Sequence, residues 1–178
     1  MSQRVSGYER KANDLYETPE WVTEALIPHV PDRIQKVWEP ACGSGKMVEP
    51  LLSRCDVFGS DLAFGRDFLL TVVEESAGAI ITNPPYDLAQ EFIDRALQMM
   101  EPVRGLVAML LRTDFDHAKS RTHLFRDCPA FAKKLVLMKR IAWFVEADGK
   151  PKASPSFNHA WYIWDWQHEG PPTISYGP

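Results

Sequence analysis

The chain has 178 residues, which suits a single domain large enough to bury a hydrophobic core without disulfides or metals. Its composition, 45% hydrophobic and 25% charged with a net charge of −4, is typical of a globular protein and excludes a collagen-like fibre and a coiled coil. No apolar run approaches the roughly 18 residues of a membrane span. The polar N-terminus has no secretory signal pattern, and the three cysteines form no Cys-x-x-Cys pair. We therefore expect a cytoplasmic protein with no metal site and no membrane contact.

The first predicted helix follows a polar N-terminal arm, which we expect to be flexible over residues 1–13. Thr18 can cap this helix with its side-chain oxygen, and Pro19 suits the first helical position because an N–H there would have no partner. Apolar residues from Trp21 to Leu26 follow at helical spacing, so we predict a helix that ends near Pro28 or Pro31.

Short apolar runs alternate with helical patterns along the rest of the chain. The predicted strands cover 37–39, 57–61, 79–82, 105–111, 135–138, 141–145 and 157–166. The predicted helices follow the first strand through Leu52, the third strand over 92–100 and the fourth strand over 117–126. This alternation indicates an α/β fold with a Rossmann-like, doubly wound and mostly parallel sheet, and the final strands without an intervening helix indicate an antiparallel C-terminal edge strand. We expect one domain over 14–166, with the aromatic strand in its core, and a loose Pro/Gly-rich tail over 167–178.

A glycine-rich turn follows the first predicted strand, with the sequence Glu39-Pro40-Ala41-Cys42-Gly43-Ser44-Gly45. Glycines after a strand let the backbone approach a ligand closely, and the N–H groups of a following helix point at the same place. A phosphate-binding Walker A loop is excluded, because Pro40 stands where its first glycine is required and Met47 where its Ser or Thr is required. The turn therefore predicts either a nucleotide-like cofactor site or a purely structural loop.

Two further features stand at the ends of the next predicted strands. Asp61 ends the second strand, a position from which an acid accepts hydrogen bonds from ribose hydroxyls in open parallel sheets, although it also suits a turn cap. Asn83-Pro84-Pro85-Tyr86 ends the third strand, and its two prolines stiffen the turn. An amide oxygen, a proline carbonyl and an aromatic ring suit an amino group conjugated to a ring, since they offer two acceptors and a stacking surface.

With these motifs in this order, the chain resembles the class I S-adenosylmethionine-dependent methyltransferases. It is most similar to small, phage-type N6-adenine DNA methyltransferases without a separate target-recognition domain, over roughly residues 14–166. The resemblance implies S-adenosyl-L-methionine as cofactor, held by Tyr16, Thr18, Pro19, Glu39, Pro40, Ala41, Cys42, Gly43, Gly45, Asp61, Leu62, Asp67, Phe68 and Asn83. Asp67 would hold the cofactor's adenine amine, Phe68 would pack on that ring, and the segment from Tyr16 to Pro19 would border the methionine end.

The same resemblance implies a catalytic motif of Asn83, Pro84, Pro85 and Tyr86. The oxygens of Asn83 and Pro84 would draw the target amine's lone pair out of conjugation, and Tyr86 would stack on an adenine rotated out of DNA. Adenine in RNA and the side-chain amide of protein glutamine are alternative substrates, because an amide nitrogen has the same conjugated lone pair. A third alternative is a non-catalytic, cofactor-binding partner subunit.

Basic residues are concentrated between 104 and 140, a segment that contains nine Lys/Arg and only three Asp/Glu. This excess predicts either a patch that contacts nucleic-acid phosphates or an ordinary solvated surface. The candidate contacts are Arg112, Lys119, Arg121, Lys133 and Lys134. The longest candidate insertions, 112–129 and 146–156, are too short to fold as a recognition domain, so a partner protein is a candidate source of target recognition.

Overall fold

A single seven-stranded sheet organises the chain, in a computed structural model that describes residues 16–71, 77–144 and 156–178. The strands are β1 Lys36–Glu39, β2 Asp56–Gly59, β3 Ala79–Thr82, β4 Leu106–Arg112, β5 Phe131–Val136, β6 His159–Asp165 and β7 Thr173–Tyr176. The α-helices are α1 Glu20–Leu26, α2 Val48–Leu51 and α3 Ala89–Met100. The predicted N-terminal arm, 1–13, lies outside the described residues.

The sheet has the strand order β2-β1-β3-β4-β6-β5-β7. Strands β1 to β4 are mutually parallel, β6 runs antiparallel to both β4 and β5, and β7 is parallel to β5. The predicted Rossmann-like, mostly parallel sheet with an antiparallel element on its C-terminal side is therefore confirmed, with β5 and β7 lying outside the antiparallel β6. The strand order reverses between β1 and β3, and ligands of open α/β sheets bind outside the carboxyl ends of the strands at such a point.

Two hydrophobic cores cover the two faces of the sheet. One contains Val22 and Leu26 of α1 with Leu51 of α2, and the other contains the buried face of α3, including Phe92 and Ile93. Because strand side chains alternate between faces, β6 contributes to both cores, with Trp161 in the first and Trp164 in the second. Each indole N–H is paired, Trp161 with the Val22 carbonyl at 2.8 Å and Trp164 with the Leu124 carbonyl at 2.6 Å. The prediction of an aromatic core strand is confirmed.

The structure differs from the sequence-based predictions in several elements. The helix after the glycine-rich turn has only four residues, and the helix predicted over 117–126 is a 3₁₀ helix over Lys119–Leu124. Residues 141–144 form no strand. Part of the predicted tail forms β7, whose main chain pairs with β5, so the tail prediction is wrong for Thr173–Tyr176.

None of the helices among the described residues is long and apolar enough to span a membrane.

Candidate active site

The glycine-rich turn and the Asn-Pro-Pro-Tyr turn meet at the switch point of the sheet. The first leaves the carboxyl end of β1 and the second leaves the carboxyl end of β3, its immediate neighbour. Asp61 follows β2, on the other side of β1. The topology therefore brings three sequence-predicted features to one edge of the sheet.

Backbone hydrogen bonds and two left-handed glycines shape the glycine-rich turn. Ser60 N–H donates to the Glu39 carbonyl at 2.9 Å, and Cys42 N–H donates to the Ser60 carbonyl at 3.0 Å. Gly43 and Gly45 have φ values of 50° and 90°, which favour glycine. Apart from its chain neighbours, no described residue has an atom within 4 Å of the place where a Cβ on Gly45 would stand, so this side of the turn faces open space in the described structure.

Asp61 connects the turn to the loop after β2. Its carboxylate accepts the Gly43 N–H at 2.9 Å and the Ala63 N–H at 2.8 Å. A carboxylate offers about four lone-pair sites, so these bonds leave acceptor capacity for a ligand's hydroxyls. Beside it, the apolar side chains of Leu62 and Phe64 are 69% and 72% exposed. The turn-cap and ribose-acceptor interpretations of Asp61 are thus compatible with each other.

Phe68 is not placed as the resemblance implied. It is buried in the core between Trp38 and Phe92, with ring centroids at 5.2 and 4.8 Å. Asp67 accepts the Leu69 N–H at 2.9 Å. Phe68 therefore belongs to the core, whereas Leu62 leaves an exposed apolar side chain directly after Asp61.

Glu39 is a buried acid at the base of the turn. It is 1% exposed, and its Oε2 has no hydrogen-bond partner among the described residues. Burial, together with the negative charge of Asp61, raises the pKa of Glu39 to about 8. The side chain is therefore largely protonated at neutral pH, which gives the base of the site a hydrogen-bond donor.

The amide of Asn83 is held in one orientation by the N-terminal segment. Its Nδ2 donates to the Tyr16 carbonyl and to Thr18 Oγ1, both at 3.2 Å. A carbonyl oxygen can only accept, so these bonds fix which end of the amide carries the hydrogens. Asn83 Oδ1 is consequently turned away, buried and without a partner among the described residues. Buried acceptors normally have partners, so this oxygen fits a donor that the described residues do not supply.

Tyr86 opens the 3₁₀ turn Tyr86–Leu88 directly after the two prolines. Its hydroxyl is hydrogen-bonded to Nε2 of His159 at 3.1 Å, and the two rings are inclined by 30°. Burial raises the pKa of Tyr86, and burial together with the charge of Arg112 lowers the pKa of His159 to about 4. At neutral pH both groups are uncharged, as suits a pocket for a neutral ring.

The segment from Tyr16 to Pro19 joins the two turns. Glu17 accepts a hydrogen bond from Ser44 and forms an ion pair with Lys46, and these contacts lower the pKa of Glu17. Thr18 is buried and bonds Asn83 instead of capping α1, for which Pro19 is the N-cap residue. The segment thus ties the glycine-rich turn to the Asn83 amide, an arrangement that the helix-cap prediction missed.

Aromatic side chains cluster around Tyr16, which lies next to Tyr86. The ring of Tyr16 lies 5.8 Å from that of Tyr86, 5.6 Å from that of Trp143 and 5.6 Å from that of Phe144. Trp143 also meets His159 at 5.2 Å, edge to face. Trp143, Phe144 and His159 are not among the site residues predicted from the sequence, although a histidine at the start of a buried aromatic strand is an available signal.

The five predicted phosphate contacts do not form one patch. Lys133 and Lys134 are adjacent on β5 and point to opposite faces of the sheet. Lys133 Nζ donates to His29 Nδ1 at 3.1 Å, and Lys134 Nζ donates to the Thr113 carbonyl at 2.8 Å and to Asp116 at 2.7 Å. With a side chain only 14% exposed and paired with Asp116, Lys134 contributes to the fold, and its contact with nucleic acid stays a prediction.

The arginines among the five have local partners. Arg121 lies 3.8 Å above the ring of Phe115 and donates to its carbonyl, and Arg112 pairs with Asp114 at 3.0 Å. Arg112 is exposed at the end of β4, where it stands opposite His159 in the register. Arg112 is therefore the predicted contact nearest to Tyr86, and Lys119 is an exposed residue further along the same segment.

These features fit an adenosyl cofactor. The turn lines open space beside Gly45, Asp61 retains acceptor capacity, Leu62 offers an apolar surface, and the unpartnered Asn83 oxygen lies at the neighbouring strand end. The donor and acceptor types match a ribose, an aromatic ring and an amino group at one strand edge. Among the described residues, no cluster of His, Cys, Asp and Glu could hold a metal ion.

Solved methyltransferase structures share this fold. The M protein of the type I restriction enzyme EcoKI is 12% identical with a TM-score of 0.56, covering 93% of this chain and 49% of that chain. The type I restriction-modification methyltransferase subunit from Streptococcus thermophilus is 11% identical with a TM-score of 0.52, covering 89% and 45%. The 23S rRNA methyltransferase ErmE is 16% identical with a TM-score of 0.53, covering 86% and 68%.

This likeness shows the fold, and the chain spans about half the length of the two restriction-system proteins. No family model and no curated protein sequence matches the chain.

Proposed function

We propose that the protein is an S-adenosyl-L-methionine-dependent methyltransferase that acts on the exocyclic N6 amine of adenine in DNA. The observation that carries this proposal is the buried, unpartnered Oδ1 of Asn83, presented at the switch point by an amide whose other end is fixed by Tyr16 and Thr18. An acceptor held in this way awaits an N–H donor, and an amino group conjugated to a ring is the donor that the adjacent Tyr86 suits.

The chain's own residues bind, orient and polarise the reactants. When bound, S-adenosyl-L-methionine supplies an electrophilic methyl group on a sulfonium. Asp61 and the glycine-rich turn hold the adenosyl part, while Asn83 Oδ1 and the Pro84 carbonyl accept the two hydrogens of the target amine. This pulls the nitrogen lone pair out of the ring's π system and directs it at the methyl group, and fixing that geometry supplies up to several kcal/mol of the barrier.

The aromatic surroundings favour a nucleobase over a glutamine side chain. Tyr86, Tyr16, Trp143 and Phe144 present ring surfaces, which stack on planar bases and gain little from an aliphatic chain. Both DNA and RNA adenines meet this requirement. Type I restriction methyltransferase subunits and an rRNA methyltransferase share the fold, which supports a nucleic-acid substrate, and RNA is the second candidate.

Target recognition is the part of the proposal that extends beyond this chain. The described residues form one sheet with its covering helices, and Arg112 is an exposed basic residue opposite His159 in the register. We propose that residues such as Arg112 and Lys119 position the backbone of the nucleic acid, and that a partner protein contributes sequence specificity.

Methyl transfer from labelled S-adenosyl-L-methionine tests the function directly. Unmethylated DNA, total RNA and a protein lysate are offered in parallel, and the labelled product is digested and identified. The proposal predicts label in DNA as N6-methyladenine. Label confined to RNA or to protein glutamine would show that the substrate is not DNA. Absence of label with the cofactor bound would support the alternative of a non-catalytic subunit.

A further inference from the structure

His159 stands out as a polar side chain in an apolar place. It begins β6, whose first six residues are buried, and is itself only 2% exposed. Its Nδ1 has no hydrogen-bond partner among the described residues. A leucine or phenylalanine would fill this position without a buried, unsatisfied nitrogen, so packing alone does not account for a histidine.

The partner of His159 explains its presence. Nε2 lies 3.1 Å from the hydroxyl of Tyr86, a residue 73 positions earlier in the chain. Trp143 packs edge to face on the imidazole at 5.2 Å and restrains its rotation. Since His159 is paired in register with Arg112 on the central strand β4, its backbone is anchored as firmly as the sheet itself.

Tyr86 needs such an anchor. The rigid Asn83-Pro84-Pro85 turn fixes its backbone, but the side chain can still rotate about its own torsions. A hydrogen bond at the hydroxyl, the far end of the ring, removes that freedom. The ring is then held at both ends, and its plane is set relative to Asn83 Oδ1.

We propose that His159 is a positioning residue, which holds the ring of Tyr86 in the plane on which the target base stacks. This inference rests on the proposed function for its effect on turnover, whereas the His159–Tyr86 hydrogen bond itself can be measured in the free protein. It assigns the histidine no proton transfer and no contact with the methyl group.

Four variants test the inference in the kinetic assay. His159→Leu removes the hydrogen bond at similar volume, and Tyr86→Phe removes the hydroxyl. The Tyr86→Phe/His159→Leu double variant completes a double-mutant cycle. His159→Gln restores a polar group near the position of Nε2. His123→Leu is the matched control, because His123 is half exposed and pairs with Asp94 at the surface. Each variant is checked for folding by circular dichroism and for cofactor affinity by calorimetry with S-adenosylhomocysteine.

The loss of one hydrogen bond should lower kcat by about tenfold in His159→Leu and in Tyr86→Phe. The double variant should lose no more than either single variant, His159→Gln should recover most of the rate, and His123→Leu should match the wild type. Cofactor affinity should not change in any of them. A multiplicative loss in the double variant, or wild-type kcat in His159→Leu, would overturn the inference. If His159→Leu does not fold, the kcat values of His159→Gln and Tyr86→Phe are compared instead. Recovery of most of the rate in His159→Gln with the loss in Tyr86→Phe would support the inference, and wild-type kcat in Tyr86→Phe would overturn it.

A nuclear magnetic resonance measurement separates this inference from the proposed function. The imidazole ¹⁵N resonances of His159 should shift in Tyr86→Phe, while those of the other histidines stay in place. Identical His159 resonances would overturn the inference even if the wild type methylates DNA. A shift in a protein that methylates no nucleic acid would refute the proposed function and leave the hydrogen bond established.

Discussion

Thr18→Val tests whether the segment from Tyr16 to Pro19 orients the Asn83 amide, the proposed catalytic group. The substitution preserves the shape of a buried side chain but removes Oγ1, which accepts one of the two hydrogens on Asn83 Nδ2. One buried N–H is then left without a partner, at a cost of about 1–3 kcal/mol. The Tyr16 carbonyl remains as the second acceptor, so the amide is loosened and not released.

We expect kcat to fall by about tenfold, which corresponds to ~1.4 kcal/mol of lost orientation, while cofactor affinity stays unchanged. The assay is steady-state methyl transfer on the wild-type substrate, with calorimetry for the cofactor. Thr18→Ser keeps the hydroxyl and should retain most of the activity. Thr23→Val is a matched control, because Thr23 is also buried but its hydroxyl has no partner among the described residues, so its loss should leave both kcat and stability intact. Wild-type kcat in Thr18→Val would refute the idea that this contact orients Asn83.

Three further predictions concern the cofactor turn, the buried acid and the basic residues. Asp61→Ala should weaken cofactor binding by at least about tenfold in calorimetry, because it removes a hydroxyl acceptor and frees the Gly43 N–H; equal affinity would mean that Asp61 is only structural. Burial raises the pKa of Glu39 in the folded protein to about 8, from an ordinary 4.5. The protonated side chain therefore contributes fully to the free energy of unfolding below pH 4.5, and this contribution is lost as the pH rises towards 8. The unfolding free energy of Glu39→Gln, measured by denaturant titration, should therefore rise relative to wild type across that range, and parallel curves would contradict the assignment. Arg112→Ala should reduce the slope of log binding constant against log salt concentration for the nucleic acid by about one unit. Lys134→Met should lower the melting temperature and leave that slope unchanged. A changed slope in Lys134→Met with an unchanged slope in Arg112→Ala would show that Lys134 contacts the nucleic acid.

The sequence was sufficient to predict where the candidate site lies. Parallel strands end at the same edge, so Gly43, Asp61 and Asn83, each placed just after a predicted strand, had to come together once the sheet was parallel. The residue types then indicated the chemistry, because an amide oxygen next to two prolines and a tyrosine suits few ligands other than a conjugated amine.

The sequence was not sufficient where a contact joins distant segments. His159 meets Tyr86 only because β6 is inserted beside β4, and the orientation of the Asn83 amide depends on a segment 65 residues away. A family resemblance does not fix where an aromatic side chain packs, because the same residue can contact a ligand or the core. Phe68 packs in the core, between Trp38 and Phe92.

Local patterns also misled where tertiary pairing decided the outcome. Residues 173–176 follow two prolines and are largely exposed, so nothing in their own sequence required a strand, yet β5 offered them a free edge. Lys134 lies in a basic run of the sequence, which suggested a surface contact, but its side chain is only 14% exposed and its Nζ is paired with Asp116. Charge counts along a chain do not distinguish the two faces of a strand.

The most direct test of the account is methylation by Asn83→Ala beside the wild type. The wild type should deposit N6-methyladenine in DNA, and the variant should bind the cofactor normally while its kcat falls by about 10²–10³, the range seen when one preorganised polar contact to a transition state is removed. The same rate in Asn83→Ala, or a wild-type product other than N6-methyladenine, would contradict the claim that the unpartnered oxygen of Asn83 awaits the adenine amine.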